Sequence, residues 1–289
     1  MRNCKNREQD QLHGAALRIG VIVDWMNPTM TAAFQQLSAR AKLDLIYPEK
    51  QMLDLAGVRV QNDLYILKSG TELALSLAGA LHALGAVTLN PYPTVAMMRN
   101  KIIVTRMLQD AGLPVPASYV ASDPSEFAPL LESGPLILKP YRGSRGAGIR
   151  IIRDARELEG MKPNGLLLAQ RYQQADGTDR KIYCIGGELF GVKRIWPLRT
   201  YEDKVGEPFA VTSELREIAL RCGRVFGIDL YGLDVVISAG QPYVVDVQKF
   251  GSYMGVPDAP RRLADYIQAA AQRVLRGGPV QLPGERKHI

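Results

Sequence analysis

The chain has 289 residues, 46% of them hydrophobic and 22% charged, a composition typical of a folded protein with room for two or three subdomains. Its formal net charge is +7, and a basic balance suits phosphate-bearing ligands as well as nucleic acid. Three cysteines without CxxC spacing and only three histidines argue against a disulfide framework, a structural zinc and a histidine-based triad.

The N-terminal part, residues 17–93, alternates predicted strands with predicted helices. Residues 1–16 before it have the polar composition of a disordered leader without a secretory signal, so we expect a cytoplasmic protein. Alternation of this kind indicates a parallel sheet covered by helices on both faces, an α/β fold. The predicted strands are 17–24, 43–48, 63–68 and 86–89, and the predicted helices are 29–40 and 72–84.

The remainder of the chain mixes strands and helices in an order that predicts α+β subdomains. We expect one subdomain over 94–172, a second over 173–276, and a tail over 277–289. The predicted helices are 94–111, 213–226 and 259–276, and the predicted strands are 135–140, 149–152, 165–170, a hairpin within 181–195 that turns at Gly186-Gly187, and a hairpin around Gly240.

Two aspartates and a glutamine are expected to meet on one face of the last hairpin. If its turn centres on Gly240, Asp234 and Asp246 lie opposite each other and point to the same face, and Gln248 points there too. Oxygen ligands of this kind select Mg²⁺ or Mn²⁺. A solvated outer face, or aspartates paired with arginines, is the alternative. The residues expected on the opposite face are Leu233, Val235, Ile237, Val245 and Val247.

A glycine-rich stretch, Arg142–Gly148, lies between two predicted strands. A strand-to-strand setting does not fit a Rossmann fingerprint, and the lysine-serine pair of a Walker loop is absent. Glycines would still allow backbone amides to approach phosphate oxygens, with Arg142 and Arg145 close by. An ordinary hairpin turn is the alternative.

Isolated basic residues stand in apolar surroundings. Lys139, inside Pro135–Pro140, needs a buried partner, and both a phosphate and a carboxylate would serve. Lys101 raises the same question, and Lys68 could face an acceptor substrate. Lys193 and Arg194, at the end of a predicted hairpin, are either functional or a solvated strand end.

Taken in order, these motifs resemble the ATP-grasp superfamily, particularly its RimK-like ligase branch, over residues 17–276. The resemblance implies an ATP-grasp fold that clamps the nucleotide. It also implies a nucleotide site with lysines on the phosphates, a glycine-rich lid, a hinge beside adenine and an aspartate that reaches the ribose. The residues at those positions are Lys101, Lys139, Arg142, Gly143, Ser144, Gly146, Gly148, Gln170, Arg171, Tyr172, Asp179 and Lys181.

The resemblance also implies that Asp234, Asp246 and Gln248 are metal ligands, for what we expect to be two Mg²⁺ or Mn²⁺ ions. Gln248 replaces the asparagine usual in the family, and the Pro-Gly that normally follows it is missing. Arg171 likewise replaces the commoner acidic residue of the hinge.

The chemistry that this resemblance implies is Mg-ATP-dependent ligation, in which a carboxylate becomes an acyl phosphate that an amine attacks. Arg194 and Arg199, with Lys193, are the candidates for steadying the transferred phosphoryl group. The stretch that follows Tyr243 also resembles ATP-grasp inositol-phosphate kinases, so phosphorylation of a polyol phosphate is the alternative. A non-catalytic nucleic-acid binder is a third interpretation. We expect a small-molecule acceptor, no membrane partner and a homo-oligomer.

Overall fold

The computed structural model describes residues 16–143, 146–161, 165–195, 203 and 205–282. The chain divides into two compact units. The first comprises the chain up to Leu89 together with Asp258–Val280, and the second comprises Asn90–Pro257 with the chain from Gln281 onward. No helix of the described residues is long and apolar enough to cross a membrane.

The first unit is built on a four-stranded parallel sheet of order β2-β1-β3-β4. The central strand is fully buried at Ile19 and Val21, which is why its sequence is a run of β-branched residues without alternation. Asn27 begins the first helix by accepting a hydrogen bond from the Met30 amide at 2.8 Å. The elements are β1 (Arg18–Val23), α1 (Pro28–Ser38), β2 (Lys42–Ile46), β3 (Leu64–Lys68), α2 (Glu72–Ala83), β4 (Thr88–Leu89) and, from the end of the chain, α6 (Ala259–Leu275), which packs against α1.

The second unit contains two antiparallel sheets. The large sheet has the order β11-β10-β9-β12-β13, and the small sheet has the order β5-β8-β6-β7. The small sheet consists of β5 (Ser118–Ala121), β6 (Leu136–Pro140), β7 (Arg150–Ile152) and β8 (Leu167–Arg171). The large sheet consists of β9 (Thr178–Ile185), β10 (Glu188–Ile195), β11 (Glu207–Phe209), β12 (Leu230–Ser238) and β13 (Gln241–Lys249). Parallel and antiparallel sheets together confirm the predicted mixture of α/β and α+β parts.

Helix α5 (Ser213–Phe226) packs on the large sheet. It begins at Thr212, whose hydroxyl accepts from the Leu215 amide, and it ends at Gly227, a glycine in the left-handed region with φ of 58°. Its apolar stripe, including Ala219 and Cys222, is buried in the core beneath the sheet. The predicted bounds of this helix are confirmed.

The single helix predicted over 94–111 is wrong, because the structure has two helices there, α3 (Tyr92–Met97) and α4 (Lys101–Asp110). Asn100 separates them. Its side-chain oxygen accepts from the amides of Ile102 and Ile103 and so starts a new helix immediately before Lys101.

The β12–β13 hairpin turns through two residues, Ala239 and Gly240, both with positive φ. This turn places Val235 opposite Val244, and continuing the same register would set Asp234 against Val245. A β-bulge intervenes, so that Asp234 pairs with Asp246 instead. The predicted opposition of the two aspartates is therefore correct, although the turn does not centre on Gly240.

The bulge changes which valine enters the core. Val244 is 2% exposed and belongs to the core under α5, whereas Val245 is only half-buried. The prediction placed Val245 with the residues on the face opposite the aspartates, but Val244 takes the buried position, because strict alternation holds only in a strand without an extra residue.

Candidate functional site

Strands β12 and β13 bring the predicted oxygen ligands onto one face of the large sheet. Asp234 and Asp246 are cross-strand partners, and Gln248 lies two residues further along β13. The Gln248 side-chain amide donates to Asp234 Oδ2 at 3.0 Å, which fixes the orientation of the glutamine. The three side chains therefore form one group, as the hairpin pattern predicts.

Strands β9 and β10 place two cations beside Asp234. Lys181 Nζ lies 2.6 Å from Asp234 Oδ1, and Arg194 contacts the same oxygen at 3.3 Å while also pairing with Asp179, its cross-strand neighbour. Burial opposes charge on Lys181, but the adjacent Asp234 carboxylate outweighs it and raises the lysine pKa. The same two cations lower the pKa of the Asp234 carboxyl against its burial, so the pair stays ionised. Burial and the negative charge of Asp234 raise the pKa of Asp179.

Helix α4 supplies a further cation at its first residue. Lys101 Nζ lies 2.6 Å from Asp246 Oδ1, and the Lys101 amide donates to the Tyr141 carbonyl at 2.8 Å, which ties the start of the helix to the end of β6. The Asp246 side chain is 35% exposed, against 17% for Asp234. Asp246 is thus the more accessible of the two hairpin carboxylates.

Lys139 differs from these cations because its partners are neutral. Its ammonium group donates to Gln170 Oε1 at 2.7 Å and to the Val245 carbonyl at 2.9 Å, and the residue is 5% exposed. No carboxylate of the described residues lies within ion-pair distance of Lys139 Nζ. Burial lowers the pKa of Lys139 from 10.5 to about 8, since Asp246 offsets only part of the desolvation. This lysine joins the small sheet to the large one.

Together these groups form the charged cluster, which is defined as Lys101, Lys139, Lys181, Arg194, Asp179, Asp234 and Asp246. Four cations face three carboxylates, so its formal charge is +1. Each carboxylate has a cation of its own, and the surplus charge lies on Lys139. The cluster is therefore complementary to an anion.

The predicted hinge residues end strand β8 next to this cluster. Gln170 is buried at 2% exposure and donates to the Ser118 hydroxyl at 3.1 Å while it accepts from Lys139. The Arg171 guanidinium donates to the carbonyls of Leu130 and Gly134. Tyr172 donates its amide to the Pro135 carbonyl at 3.0 Å. The side chains of Gln170 and Arg171 and the backbone amide of Tyr172 are thus held by the protein.

The glycine-rich loop joins β6 to β7. Gly146 and Gly148 have φ of 76° and 74°, a conformation that other residues rarely adopt, and a Cβ on Gly148 would lie 2.7 Å from the Pro140 ring. Gly143 and the exposed Arg142 precede this turn, and the Arg142 guanidinium lies 5.5 Å from the centre of the Tyr141 ring. Ser144 and Arg145 lie outside the described residues.

One predicted catalytic residue, Lys193, is not brought to the charged cluster. Lys193 is exposed on the face of β10 opposite Arg194, because neighbouring strand residues alternate. Arg199 lies outside the described residues.

Two residues near the charged cluster, Tyr183 and Ser252, were not predicted as site residues from the sequence. Tyr183 is fully buried, its ring centroid lies 5.8 Å from Lys181 Nζ, and its hydroxyl is 2.7 Å from the Ser252 hydroxyl. The sequence does offer a signal for Tyr183, because a residue two positions after Lys181 lies on the same face of β9.

The donor set fits a magnesium ion that also binds phosphate. Among the residues that the structure describes, no three His, Cys, Asp or Glu side chains are placed to hold a metal ion by themselves. Mg²⁺ commonly uses one or two carboxylates and completes its shell with water and substrate phosphates. Asp246, with its accessible carboxylate, and Gln248, whose amide nitrogen is held by Asp234, suit that arrangement.

A small cavity lies beside Lys139 and Asp246. Its volume is about 20 Å³, so it accommodates water and not a nucleotide. It is bounded by α4, by the small sheet and by the bulged part of β13, with lining residues that include Lys101, Thr105, Leu168, Gln170, Val244 and Val245.

Comparison with known proteins gives one family and a consistent group of relatives. A family model described as the RimK-like ATP-grasp domain matches residues 98–256. A probable alpha-L-glutamate ligase of Thioalkalivibrio sulfidiphilus is 22% identical over 210 residues, which are 65% of this chain and 69% of that protein. The ribosomal protein bS6--L-glutamate ligase of Escherichia coli O139:H28 is 22% identical over 265 residues, which are 85% of each chain.

Solved structures show the same fold. The RimK domain ATP-grasp protein of Sphaerobacter thermophilus superposes with a TM-score of 0.71 at 22% identity, covering 86% of this chain and 98% of that one. The D-alanine--D-alanine ligase of Bacillus anthracis, solved with ATP, superposes with a TM-score of 0.70 at 18% identity, covering 91% and 99%.

Proposed function

Because this chain belongs to the RimK-like ATP-grasp family, we propose that its charged cluster binds Mg-ATP and transfers the γ-phosphate to a substrate carboxylate. The chain is an ATP-dependent ligase of the carboxylate-amine type, as its glutamate-ligase relatives and its fold indicate. The ligase expectation from the sequence is confirmed at this level, and the kinase alternative is not favoured.

The observation that carries this proposal is the environment of Lys139. A buried ammonium with two neutral acceptors retains an uncompensated charge, which is costly in a protein interior. A phosphate oxygen would supply the missing negative charge. Lys101 and Lys181 would neutralise further phosphate charge, and each is paired with a carboxylate in the structure.

In the proposed first step, an oxygen of the substrate carboxylate attacks the γ-phosphorus. The bond from that phosphorus to the β-bridging oxygen breaks, and ADP leaves with its electron pair. Arg194, held between Asp179 and Asp234, would stabilise the charge on the transferred group. The acyl phosphate has a carbonyl carbon activated for attack.

In the second step an amine attacks that carbonyl carbon and inorganic phosphate departs, while the amine gives up its proton to solvent. The amide product contains no atom of ATP. Positioning and electrostatics suffice for both steps, which agrees with a cluster made of lysine, arginine and carboxylate groups.

Asp246 and Gln248, with Asp234 behind them, would hold Mg²⁺, and we propose two ions as the family resemblance implies. Mg²⁺ would neutralise phosphate charge and orient the phosphates for in-line attack. Asp179 would reach the ribose, and the backbone of Gln170–Tyr172 would border the adenine. The glycine-rich loop, including Arg142, Gly143, Ser144, Gly146 and Gly148, would cover the phosphates.

The substrates belong to the proposal. Two relatives are named for L-glutamate, and one of them for a ribosomal protein, so an amino acid is our choice for the amine. The carboxylate would come from a small molecule or a peptide. Cytoplasmic location and self-association remain predictions from the sequence.

The test is Mg-dependent ADP release across a panel of amino acids, peptides and phosphorylated polyols, with hydroxylamine present. Hydroxylamine captures an acyl phosphate as a hydroxamate, so a hydroxamate identifies the activated carboxylate. Asp246→Asn should abolish the signal, and Asp110→Asn, a change at an exposed aspartate on α4, should leave it intact. ADP release only with a polyol phosphate and without hydroxamate would overturn the ligase proposal.

A further inference from the structure

Among the strands that the structure describes, β13 forms an edge of the large sheet and pairs with β12. Two of its outward backbone groups are used, one by the segment that leads into the small sheet and one by strand β6 of that sheet. The Val244 amide donates to the Pro114 carbonyl at 2.8 Å, and the Val245 carbonyl accepts from Lys139 Nζ at 2.9 Å. The edge of the strand is therefore where the two sheets of this unit are joined.

A regular strand could not offer both groups. In an antiparallel strand the amide and carbonyl of one residue point to the same side, and those of the next residue point to the other. Since the Val244 amide points outward, the Val245 carbonyl would normally point inward to β12. The bulge, which leaves Val245 without a partner on β12, turns this carbonyl outward.

We propose that Val245 is a positioning residue of the nucleotide site, because its bulged carbonyl holds the Lys139 ammonium in place for a phosphate. The inference rests on the proposed function. Asp246 follows immediately on β13, so the bulge sets the position of Lys139 next to the residue that would hold the metal ion. The side chain of Val245 has no part in this role.

The competing explanation is that the bulge only restores the register after a two-residue turn. Deletion of Val245 separates the two explanations. In the shortened strand Val244 is followed directly by Asp246, and the regular register again sets Asp246 opposite Asp234. The carboxylates keep their face, but the nearest outward carbonyl, that of Val244, is displaced by about 3.3 Å along the strand.

The experiment measures the binding of a non-hydrolysable ATP analogue by calorimetry, with a Mg²⁺ titration alongside, for four proteins besides the parent. These are the Val245 deletion, the control Gln241→Ala, Lys139→Met and the deletion combined with Lys139→Met. We expect the deletion to weaken analogue binding roughly tenfold to a hundredfold, the effect of a lost hydrogen bond to a charged group. Gln241→Ala, a change at the exposed start of β13, should bind like the parent, and the Mg²⁺ requirement should not change.

In the Lys139→Met background the deletion should cause no further loss of affinity, because the carbonyl then has no ammonium to hold. Parent-like affinity of the deletion variant, alongside weak binding by Lys139→Met, would overturn the inference and leave the proposed function intact. Additive losses would also overturn it. A parent protein that binds no ATP analogue would refute the proposed function itself. If the deletion variant does not fold, an ester bond between Val245 and Asp246 weakens the same carbonyl at full chain length.

Discussion

The sharpest consequence of the charged cluster is a pH dependence of nucleotide binding that comes from Lys139. Only its ammonium form attracts a phosphate, and burial lowers its pKa to about 8. For a site that requires this proton, the apparent dissociation constant is proportional to 1 + 10^(pH − pKa), where the pKa is that of Lys139 in the free protein. Between pH 7 and pH 9 the affinity for Mg-ATP should therefore fall about tenfold, which corresponds to about 1.4 kcal/mol.

The assay is titration of a non-hydrolysable ATP analogue at fixed free Mg²⁺ across this pH range. Phosphate esters complete their own ionisation near pH 6, so the ligand contributes little to the step. Cys184 titrates outside the range too, because its burial raises its pKa to about 11. The charges of Lys101, Asp234 and Asp246 also act on the pKa of Lys139, and these residues are unchanged in the variants compared.

Lys139→Arg provides the decisive variant, since a guanidinium stays protonated throughout and should give a flat profile. Lys42→Arg, an exposed exchange on β2, should keep the tenfold step. A flat profile in the parent protein, or a step that survives in Lys139→Arg, would refute the assignment of the phosphate-binding charge to Lys139.

Three further outcomes follow from the same contacts. Asp246→Asn should lower Mg-dependent turnover at least about a hundredfold with an unchanged melting temperature, whereas parent-like activity would remove it from the metal site. The folded pKa of Lys139 lies below its unfolded value of 10.5, so the unfolded chain binds more protons between pH 8 and 10.5. The Lys139 contribution to the unfolding free energy should hence rise by about 3 kcal/mol over that window. It is measured as the difference between the parent and Lys139→Met in denaturant titrations, because buried Cys184 titrates in both proteins and contributes with the opposite sign. Gly223→Ala should destabilise by about 1–3 kcal/mol in urea unfolding, because a Cβ there would lie 2.6 Å from the Tyr231 hydroxyl; a gain in stability, as helix propensity alone predicts, would contradict this packing.

The local pattern of apolar and turn residues was sufficient to predict most of the helices and strands. The amphipathic run with its glycine stop predicted α5, and Gly186-Gly187 predicted the β9–β10 turn, because hydrogen bonding and burial there depend on neighbours in sequence. The break before Lys101 was missed although Asn100 is a good capping residue, since the apolar spacing continues through it. Strand β5 was missed as well, because four residues carry too little periodicity.

The sequence by itself determined the family, the α/β and α+β architecture, and which carboxylates share a face of the last hairpin. Those properties follow from motif order and from the period of two along a strand. The tertiary structure decided which cation meets which carboxylate, since Lys101, Lys181 and Arg194 reach their partners across distances of up to 145 residues in sequence. It also decided that Lys139 donates to a bulged carbonyl, because the bulge arises from pairing between strands and has no signature in either strand alone.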